Sequence, residues 1–236
     1  MSAATARTRR ERTAWRSSLF WVRGPALPVV YGLVAIAGLI VVVALCCAVA
    51  WDGDVPGWEA APLEFVNGWP DWLEPAMWVL QQPGVLFFPY AAGAIIVLST
   101  RRWHYALPFA LLPLFKLTVE KELVKPLVDR SRPFTSVGPE IEARGSALLD
   151  QAAFPSGHAT TAAAAGLLIA AFLPTRWRII PIVWGFAVGV VRLYYGEHNV
   201  LDVVAGAALG TIFAAASYLL LFNRWVGDGP AGGDAP

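Results

Sequence analysis

Cysteine and histidine are scarce in this chain, which has two cysteines and three histidines among 236 residues. Cys46 and Cys47 are adjacent inside a long apolar run, where a disulfide between neighbours would be strained and no other metal ligand lies nearby. We therefore expect both to be inert packing or lipid-facing residues. So few ligands leave little room for a zinc or iron centre.

Charge is scarce as well, since 15% of the residues are charged against 57% that are hydrophobic. This balance is typical of a membrane protein and not of a soluble domain. The first apolar run, residues 24–51, contains no charge. It is longer than the roughly 7–15 residues of a signal-peptide core, so we expect it to be a retained membrane span. No nucleic-acid partner is expected.

Six apolar runs approach the roughly 20 residues that a helix needs to cross a bilayer. They are Leu27–Ala50, Pro75–Ser99, Trp103–Val124, Gly157–Leu173, Ile179–Val191 and Asn199–Phe222. The sequence therefore predicts an all-α, polytopic membrane bundle with six transmembrane helices over residues 27–222. A basic cytoplasmic segment, residues 1–26, precedes this domain, and a disordered tail, residues 223–236, follows it.

Basic residues predict the orientation of the bundle, because Lys and Arg are retained on the cytoplasmic side of a membrane. Six arginines precede the first span, and further arginines follow spans two, four and six at positions 101, 102, 176, 178 and 224. The segment between spans one and two has six acidic residues and no Lys or Arg. Both termini are therefore predicted to be cytoplasmic.

Five basic residues break this pattern, because they fall at the outer end of span three or between spans three and four, which the topology places outside. They are Lys121, Lys125, Arg130, Arg132 and Arg144. Two interpretations remain open at this point: solvated loop charges, or an anion-binding site at the outer face.

Three polar segments lie at predicted outer ends of spans. They are KPLVDRSRP from Lys125, FPSGH at Phe154–His158, and VRLYYGEHNVLD at Val191–Asp202. Taken alone, Lys125 and Arg132 fit solvated charges as well as a site. The second segment alone fits a simple helix start, with Ser156 as the amino-terminal cap and Gly157 allowing a tight entry.

His198 and Asp202 are four residues apart at the start of an apolar helix and therefore share one face. The carboxylate can accept a hydrogen bond from the imidazole, which would fix its tautomer and raise the basicity of its other nitrogen. A nucleophilic or general-base histidine needs this arrangement, although a structural pair fits the spacing too. Lys116 and Glu120, also four apart, are interpreted as a structural ion pair in the third span.

Together the three segments resemble the type 2 phosphatidic acid phosphatase superfamily, the lipid phosphate phosphatases, whose motifs are K-x6-R-P, P-S-G-H and S-R-x5-H-x3-D. The matching residues are Lys125, Arg132 and Pro133, then Pro155–His158, then Arg192, His198 and Asp202. Val191 stands where the third motif has serine, which removes a hydroxyl that could contact phosphate or steady Arg192.

The resemblance implies an integral-membrane enzyme that hydrolyses a lipid phosphomonoester or diphosphate through a phosphohistidine. His198 would be the nucleophile, Asp202 would orient it, and His158 would protonate the leaving oxygen. The implied phosphate-binding residues are Lys125, Arg132, Ser156, Gly157 and Arg192. No metal or cofactor is implied, because cationic side chains take the place of a metal.

The implied site lies at the outer membrane–water interface of the plasma membrane and faces the periplasm or exterior. Among substrates, an isoprenoid diphosphate such as undecaprenyl diphosphate is favoured, and phosphatidylglycerol phosphate or phosphatidic acid are alternatives. A lipid phosphotransferase with the same residues is a second interpretation. A non-catalytic protein that binds or transports an anionic lipid is a third. The sequence does not indicate an oligomeric state.

Overall fold

The computed structural model describes residues 29–145 and 152–223, and every regular element within them is helical. The α-helices are α1 (Val29–Ala50), α2 (Gly57–Asn67), α3 (Glu74–Leu80), α4 (Phe88–Thr100), α5 (Leu107–Phe115), α6 (Lys125–Val128), α7 (Pro133–Ser136), α8 (Gly157–Ala170), α9 (Ile179–Tyr194) and α10 (Val200–Ser217). The predicted basic segment 1–26 and nearly all of the predicted tail lie outside the described residues.

Three helices are long and apolar enough to cross a membrane: Val29–Ala50, Thr175–Tyr194 and Val200–Phe222. Phe88–Thr100 and Gly157–Ala170 are apolar but shorter. The lipid-facing character is clearest in α1, where most large side chains are exposed. The number of membrane spans remains a prediction.

The second predicted span is broken. Helix α3 ends at Leu80, a 3₁₀ turn follows at Gln82–Gly84, and α4 begins only at Phe88. Pro83 explains the break, because its ring removes a backbone donor and clashes with the preceding helical turn. The interruption exposes the polar side chains of Gln81 and Gln82 beside the cavity described below.

Helix α8 is the centre of the bundle and packs against both α9 and α10. Glycines allow these close approaches: a methyl group on Gly185 would collide with the carbonyl oxygen of Ala162, and one on Gly206 with that of Ser156. Small residues commonly bring helices together in membranes, where close packing replaces the hydrophobic effect. This packing fixes the start of α8 beside the start of α10.

Helix α5 continues into a π-helix, Lys116–Val124, and then into α6. Hydrogen bonds in a π-helix span five residues, so side chains four to five positions apart share a face. Lys116, Glu120, Lys121 and Lys125 consequently all line the same cavity.

Candidate active site

The three polar segments converge on one cavity of about 910 Å³. Its lining includes six of the sequence-predicted site residues, Lys125, Arg132, Gly157, His158, Arg192 and His198. The other two, Ser156 and Asp202, are fully buried directly behind it. Four of the five basic residues that violate the predicted charge rule line this cavity, namely Lys121, Lys125, Arg132 and Arg144.

His198 lies in the short connection between α9 and α10 and is 4% exposed. The connection turns at Gly196, whose φ of 64° is in the left-handed region that favours glycine. His198 Nδ1 lies 3.7 Å from Asp202 Oδ2. The predicted pairing is therefore an electrostatic contact, longer than the hydrogen bond that the spacing suggested. With Nδ1 towards Asp202, Nε2 is on the far side of the imidazole ring.

Burial and three neighbouring cations hold the pKa of His198 well below its ordinary value, and the cations are Arg192, Arg132 and Lys125. Removing a group from water disfavours its charged form, and nearby positive charge does the same to an imidazolium. His198 is consequently neutral at pH 7. A neutral imidazole is the nucleophilic form.

The guanidinium groups of Arg132 and Arg192 are held from two sides of the cavity. Arg192 Nη1 donates to Gln81 Oε1 at 2.7 Å, and its other nitrogen pairs with the carboxylate of Glu197. Arg132 Nη1 donates to the Glu197 carbonyl oxygen at 2.8 Å and lies 3.9 Å from its carboxylate. Both guanidinium groups therefore contact Glu197 and are held at the wall of the same cavity.

Lys125 is anchored by the chain that leads into α8. Its Nζ donates to the carbonyl oxygens of Ala152 at 3.0 Å and Pro155 at 3.1 Å, and lies 3.5 Å from Glu120 Oε1. Desolvation by burial lowers the pKa of Lys125, while the Glu120 carboxylate opposes that change. Its ammonium group is thus placed beside the start of α8.

Ser156 caps α8 as the sequence predicted, since its Oγ accepts from Ala159 N at 3.5 Å. Its own N–H donates to the Asp202 carbonyl oxygen at 2.9 Å, which ties the second motif to the third. His158 follows in the first turn and rests on Gly84, where an added Cβ would lie 2.8 Å from His158 Cβ. The interruption of the second predicted span thus packs directly against His158.

A buried charge network that sequence reasoning missed lies behind Asp202. Arg130 is fully buried, donates to both oxygens of Glu59 at 2.8 and 2.7 Å, and contacts Asp202 Oδ1 at 3.3 Å. Glu59 Oε1 also accepts from Leu201 N at 2.8 Å. The other Asp202 oxygen accepts from Asn199 N at 2.7 Å. The carboxylate next to His198 is therefore held at both oxygens, by Arg130 at one and by Asn199 N at the other.

Gln81, Gly84 and Glu197 were missed as well. Glu197 is adjacent to a motif histidine, and this position was the one signal available for it. Gln81 and Gly84 lie in the interruption of a predicted span, where the hydropathy pattern gave no indication of a break. Within residues 29–145 and 152–223, no group of three or more His, Cys, Asp or Glu side chains could hold a metal ion.

A sequence model of the PAP2 superfamily matches residues 90–226, a stretch that contains all three motifs. The chain belongs to this superfamily. The resemblance drawn from the motifs is thus confirmed.

Two proteins similar in sequence to this PAP2 chain are bacterial lipid A phosphatases. Lipid A 4'-phosphatase of Bacteroides thetaiotaomicron is 30% identical over 139 residues, which cover 53% of this chain and 60% of that protein. Lipid A 1-phosphatase of Rhizobium johnstonii is 30% identical over 159 residues, which cover 64% of this chain and 63% of that protein. The chain thus spans somewhat over half the length of these relatives.

The fold matches a crystal structure of a transmembrane PAP2 type phosphatidylglycerolphosphate phosphatase from Bacillus subtilis. The TM-score is 0.60, with 20% sequence identity, over 83% of this chain and 98% of the other. The predicted fold class, an all-α polytopic membrane bundle, is therefore confirmed for the described residues.

Proposed function

We propose that this PAP2 protein is a membrane-integral lipid phosphatase that hydrolyses a lipid phosphomonoester or diphosphate through a phosphohistidine intermediate. One observation carries the proposal: His198 and His158 line the same cavity, together with Lys125, Arg132 and Arg192. A site that only binds an anion needs cations but no nucleophile. Family membership and the names of the two lipid A phosphatases support a lipid phosphate as the substrate.

In the first step, His198 Nε2 attacks phosphorus and the bond between phosphorus and the lipid oxygen breaks. His158 donates a proton to that oxygen, and the lipid leaves as an alcohol or a monophosphate. In the second step, water attacks the phosphohistidine, and His158 takes its proton. Inorganic phosphate leaves and His198 is restored.

Arg132, Arg192 and Lys125 neutralise the non-bridging oxygens of the transferred phosphoryl group. The backbone N–H groups at the start of α8, near Ser156 and Gly157, add neutral donors, aided by the positive end of the helix dipole. Fixed donors of this kind stabilise the charge that develops in the transition state. Because side chains supply this positive charge, the proposal includes no metal or cofactor.

The pH dependence of kcat/KM is our first prediction. Since the pKa of His198 is lowered by burial and by Arg192 and Arg132, the neutral nucleophile should persist below pH 6.5. Replacing Arg132 by Gln removes one of these cations, so the pKa of His198 should rise and the acid limb should move to higher pH. The measurement is kcat/KM between pH 4.5 and 8 for both proteins on one substrate.

The titration of the substrate phosphate is common to the wild type and the Arg132→Gln protein, and therefore cancels in this comparison. An acid limb that begins above pH 6.5 in the wild type and stays in place in the variant would argue against a neutral His198 nucleophile.

Two other functions use the same residues. In a phosphotransferase, a lipid or sugar hydroxyl intercepts the phosphohistidine in place of water. In a binding or transport protein, the cavity holds an anionic headgroup without reaction. The hydrolase is favoured because the named relatives are phosphatases and because binding alone needs neither His198 nor His158 in the cavity.

The deciding experiment measures phosphate release by purified protein in detergent on undecaprenyl diphosphate, phosphatidylglycerol phosphate and phosphatidic acid. We expect release from at least one lipid, with an isoprenoid diphosphate as the favoured substrate. A product that appears only when an acceptor alcohol is added would indicate a phosphotransferase. Binding of these lipids without release of phosphate would identify a binding protein.

The orientation of the site is our second prediction: the cavity faces the periplasm or exterior, and both termini are cytoplasmic. Single cysteines at Glu140 and Thr175, both exposed, report opposite faces. In a background with Cys46 and Cys47 replaced by Ala, a membrane-impermeant thiol reagent on intact cells should label Glu140→Cys only. Labelling of Thr175→Cys alone would invert the orientation and place the substrate in the cytoplasmic leaflet.

A further inference from the structure

Lys116 is a cation of the cavity that belongs to none of the three motifs. It begins the π-helix Lys116–Val124 and lines the cavity with Lys121 and Lys125. The expected ion pair with Glu120 is not formed: Glu120 Oε1 lies 3.5 Å from Lys125 Nζ, and Glu120 Oε2 has no hydrogen-bond partner. Among the described residues, Lys116 therefore has neither a hydrogen bond nor an ion pair. Lys116 is partly buried at the cavity wall, so its ammonium group can pair with an anion that enters the cavity.

Lys116 lies on the His158 side of the cavity. An added Cβ on Gly157 would be 2.6 Å from Lys116 Cε, so the lysine stem rests against the residue that precedes His158. Arg192 and Arg132 act electrostatically on both His158 and His198, whereas Lys116 acts on His158 and Lys125 acts on His198. The two lysines thus divide between the acid and the nucleophile.

This division matters because the acid side is where the leaving group departs. In a lipid monophosphate, the atom bonded to the leaving oxygen is carbon, which offers a cation nothing to bind. In a lipid diphosphate it is the phosphorus of a second phosphate, whose negative charge increases as the bridging bond breaks. A cation at this point stabilises the transition state of a diphosphate substrate only.

We propose that Lys116 forms a subsite for the inner phosphate of a lipid diphosphate, an inference that rests on the proposed function. His198 Nε2 bonds to the outer phosphorus, and the bond from that phosphorus to the bridging oxygen breaks. The electron pair and the proton from His158 go to the oxygen that remains on the lipid monophosphate. Lys116 neutralises that departing phosphate.

Glu120 is the one carboxylate that faces Lys116 from the same helix, and it does not cancel the subsite. Its Oε1 is already paired with Lys125. From α9, Arg192 adds a positive charge that acts on Lys116 electrostatically. The region around Lys116 is thus net positive, as an anion subsite requires.

The first test compares farnesyl diphosphate with farnesyl monophosphate, which differ only in the second phosphate. Replacing Lys116 by Met should lower kcat/KM for the diphosphate by about 10- to 100-fold, the range of a charge-assisted hydrogen bond, and leave the monophosphate within about threefold. Lys116→Arg should restore most of the diphosphate activity. Activity on the monophosphate also reports that the variant is folded.

Lys121→Met is the matched control, because it removes the same charge from the same π-helix at an exposed position. It should change both substrates alike. An equal selective loss in both variants would assign the effect to the overall charge of the cavity and overturn the subsite. The subsite would also be overturned if Lys116→Met lowered kcat/KM equally for the two substrates, or lowered it for neither.

A binding measurement separates this inference from the proposed function. A farnesyl bisphosphonate with a methylene bridge and the matching monophosphonate cannot be hydrolysed at that bridge. The Kd of the bisphosphonate should rise in Lys116→Met by about tenfold, and the Kd of the monophosphonate should not. If the wild type releases no phosphate but shows this pattern, the hydrolase proposal fails and the subsite stands. If the wild type releases phosphate and the two Kd values respond alike, the subsite fails and the hydrolase stands.

Discussion

Replacement of His198 by alanine should abolish phosphate release, with kcat falling by about 10⁴-fold or more, as is typical when a catalytic nucleophile is removed. The reason is that His198 is the histidine beside Asp202, whereas His158 lies at the start of α8 against Gly84. The measurement is the initial rate of phosphate release by purified protein in detergent.

Trapping the phosphoenzyme tests the role of His198 separately from the overall rate. Rapid quenching of the wild type with ³²P-labelled lipid should give protein-bound phosphate that is stable in base and labile in acid, as a phosphoramidate is. The His198→Ala protein should give none. Wild-type phosphate release by folded His198→Ala protein would refute the nucleophile assignment.

His104 provides the matched control, since it is the third histidine of the chain and does not line the cavity. It belongs to the 3₁₀ turn Trp103–Ala106, which precedes α5. His104→Ala should retain activity within about threefold, as expected for a substitution outside the site. A comparable loss in both variants would point to misfolding, and the thermal midpoints of the two proteins would show it.

The sequence placed the three motifs at the ends of apolar runs, and the structure brings six of the predicted site residues to one cavity. Helical periodicity predicted His198 and Asp202 on one face of a helix, but the structure places His198 in the connection before α10, with the two side chains 3.7 Å apart. Spacing along a helix determines which residues share a face, but not the distance between their atoms. The sequence could therefore not predict whether the distance between His198 and Asp202 is short enough for a hydrogen bond.

The partners of the motif residues were harder to predict, because they come from distant parts of the chain. Gln81 meets Arg192 across 111 positions, and Glu59 meets Arg130 across 71. No local pattern marks such pairs. Glu59 is one of six acidic residues between the first two predicted spans. The lack of Lys and Arg in this segment was interpreted only as a sign that it lies outside the cell, so no partner was sought for Glu59.

The broken second span shows a limit of hydropathy. Residues 75–99 read as one apolar run, yet the helix stops at Leu80 because Pro83 cannot continue it. Irregular backbone is tolerated at membrane depth where it lines a cavity, and this interruption does so through Gln81, Gln82 and Val85. A proline followed by glycine inside an apolar run was the signal that could have revealed the break.

Replacement of Arg130 by methionine should be the most destabilising of the proposed substitutions. The variant would leave two buried carboxylates, those of Glu59 and Asp202, facing each other's negative charge without a cation between them. Breaking a buried ion pair by removing one partner costs about 3–5 kcal/mol. Thermal unfolding in detergent should show a midpoint lower by roughly 6–20 °C.

Arg176→Met is the control for this substitution, because Arg176 is exposed and should change stability by no more than about 0.5 kcal/mol. Glu59→Gln should be milder than Arg130→Met. The amide oxygen can still accept from Leu201 N, and Arg130 keeps its contact with Asp202 at 3.3 Å. An Arg130→Met protein as stable as the wild type would show that the network does not support the fold.

The same network should also affect catalysis, because Arg130 holds the carboxylate that lies beside His198. If Arg130 acts through Asp202, then Arg130→Met should lower kcat with little change in KM, since Arg130 does not line the cavity. Adding Arg130→Met to Asp202→Asn should then cost little further activity, because residues that act as one unit are not additive. Fully additive losses in the double variant would mean that Arg130 affects turnover through the fold alone, and not by positioning Asp202.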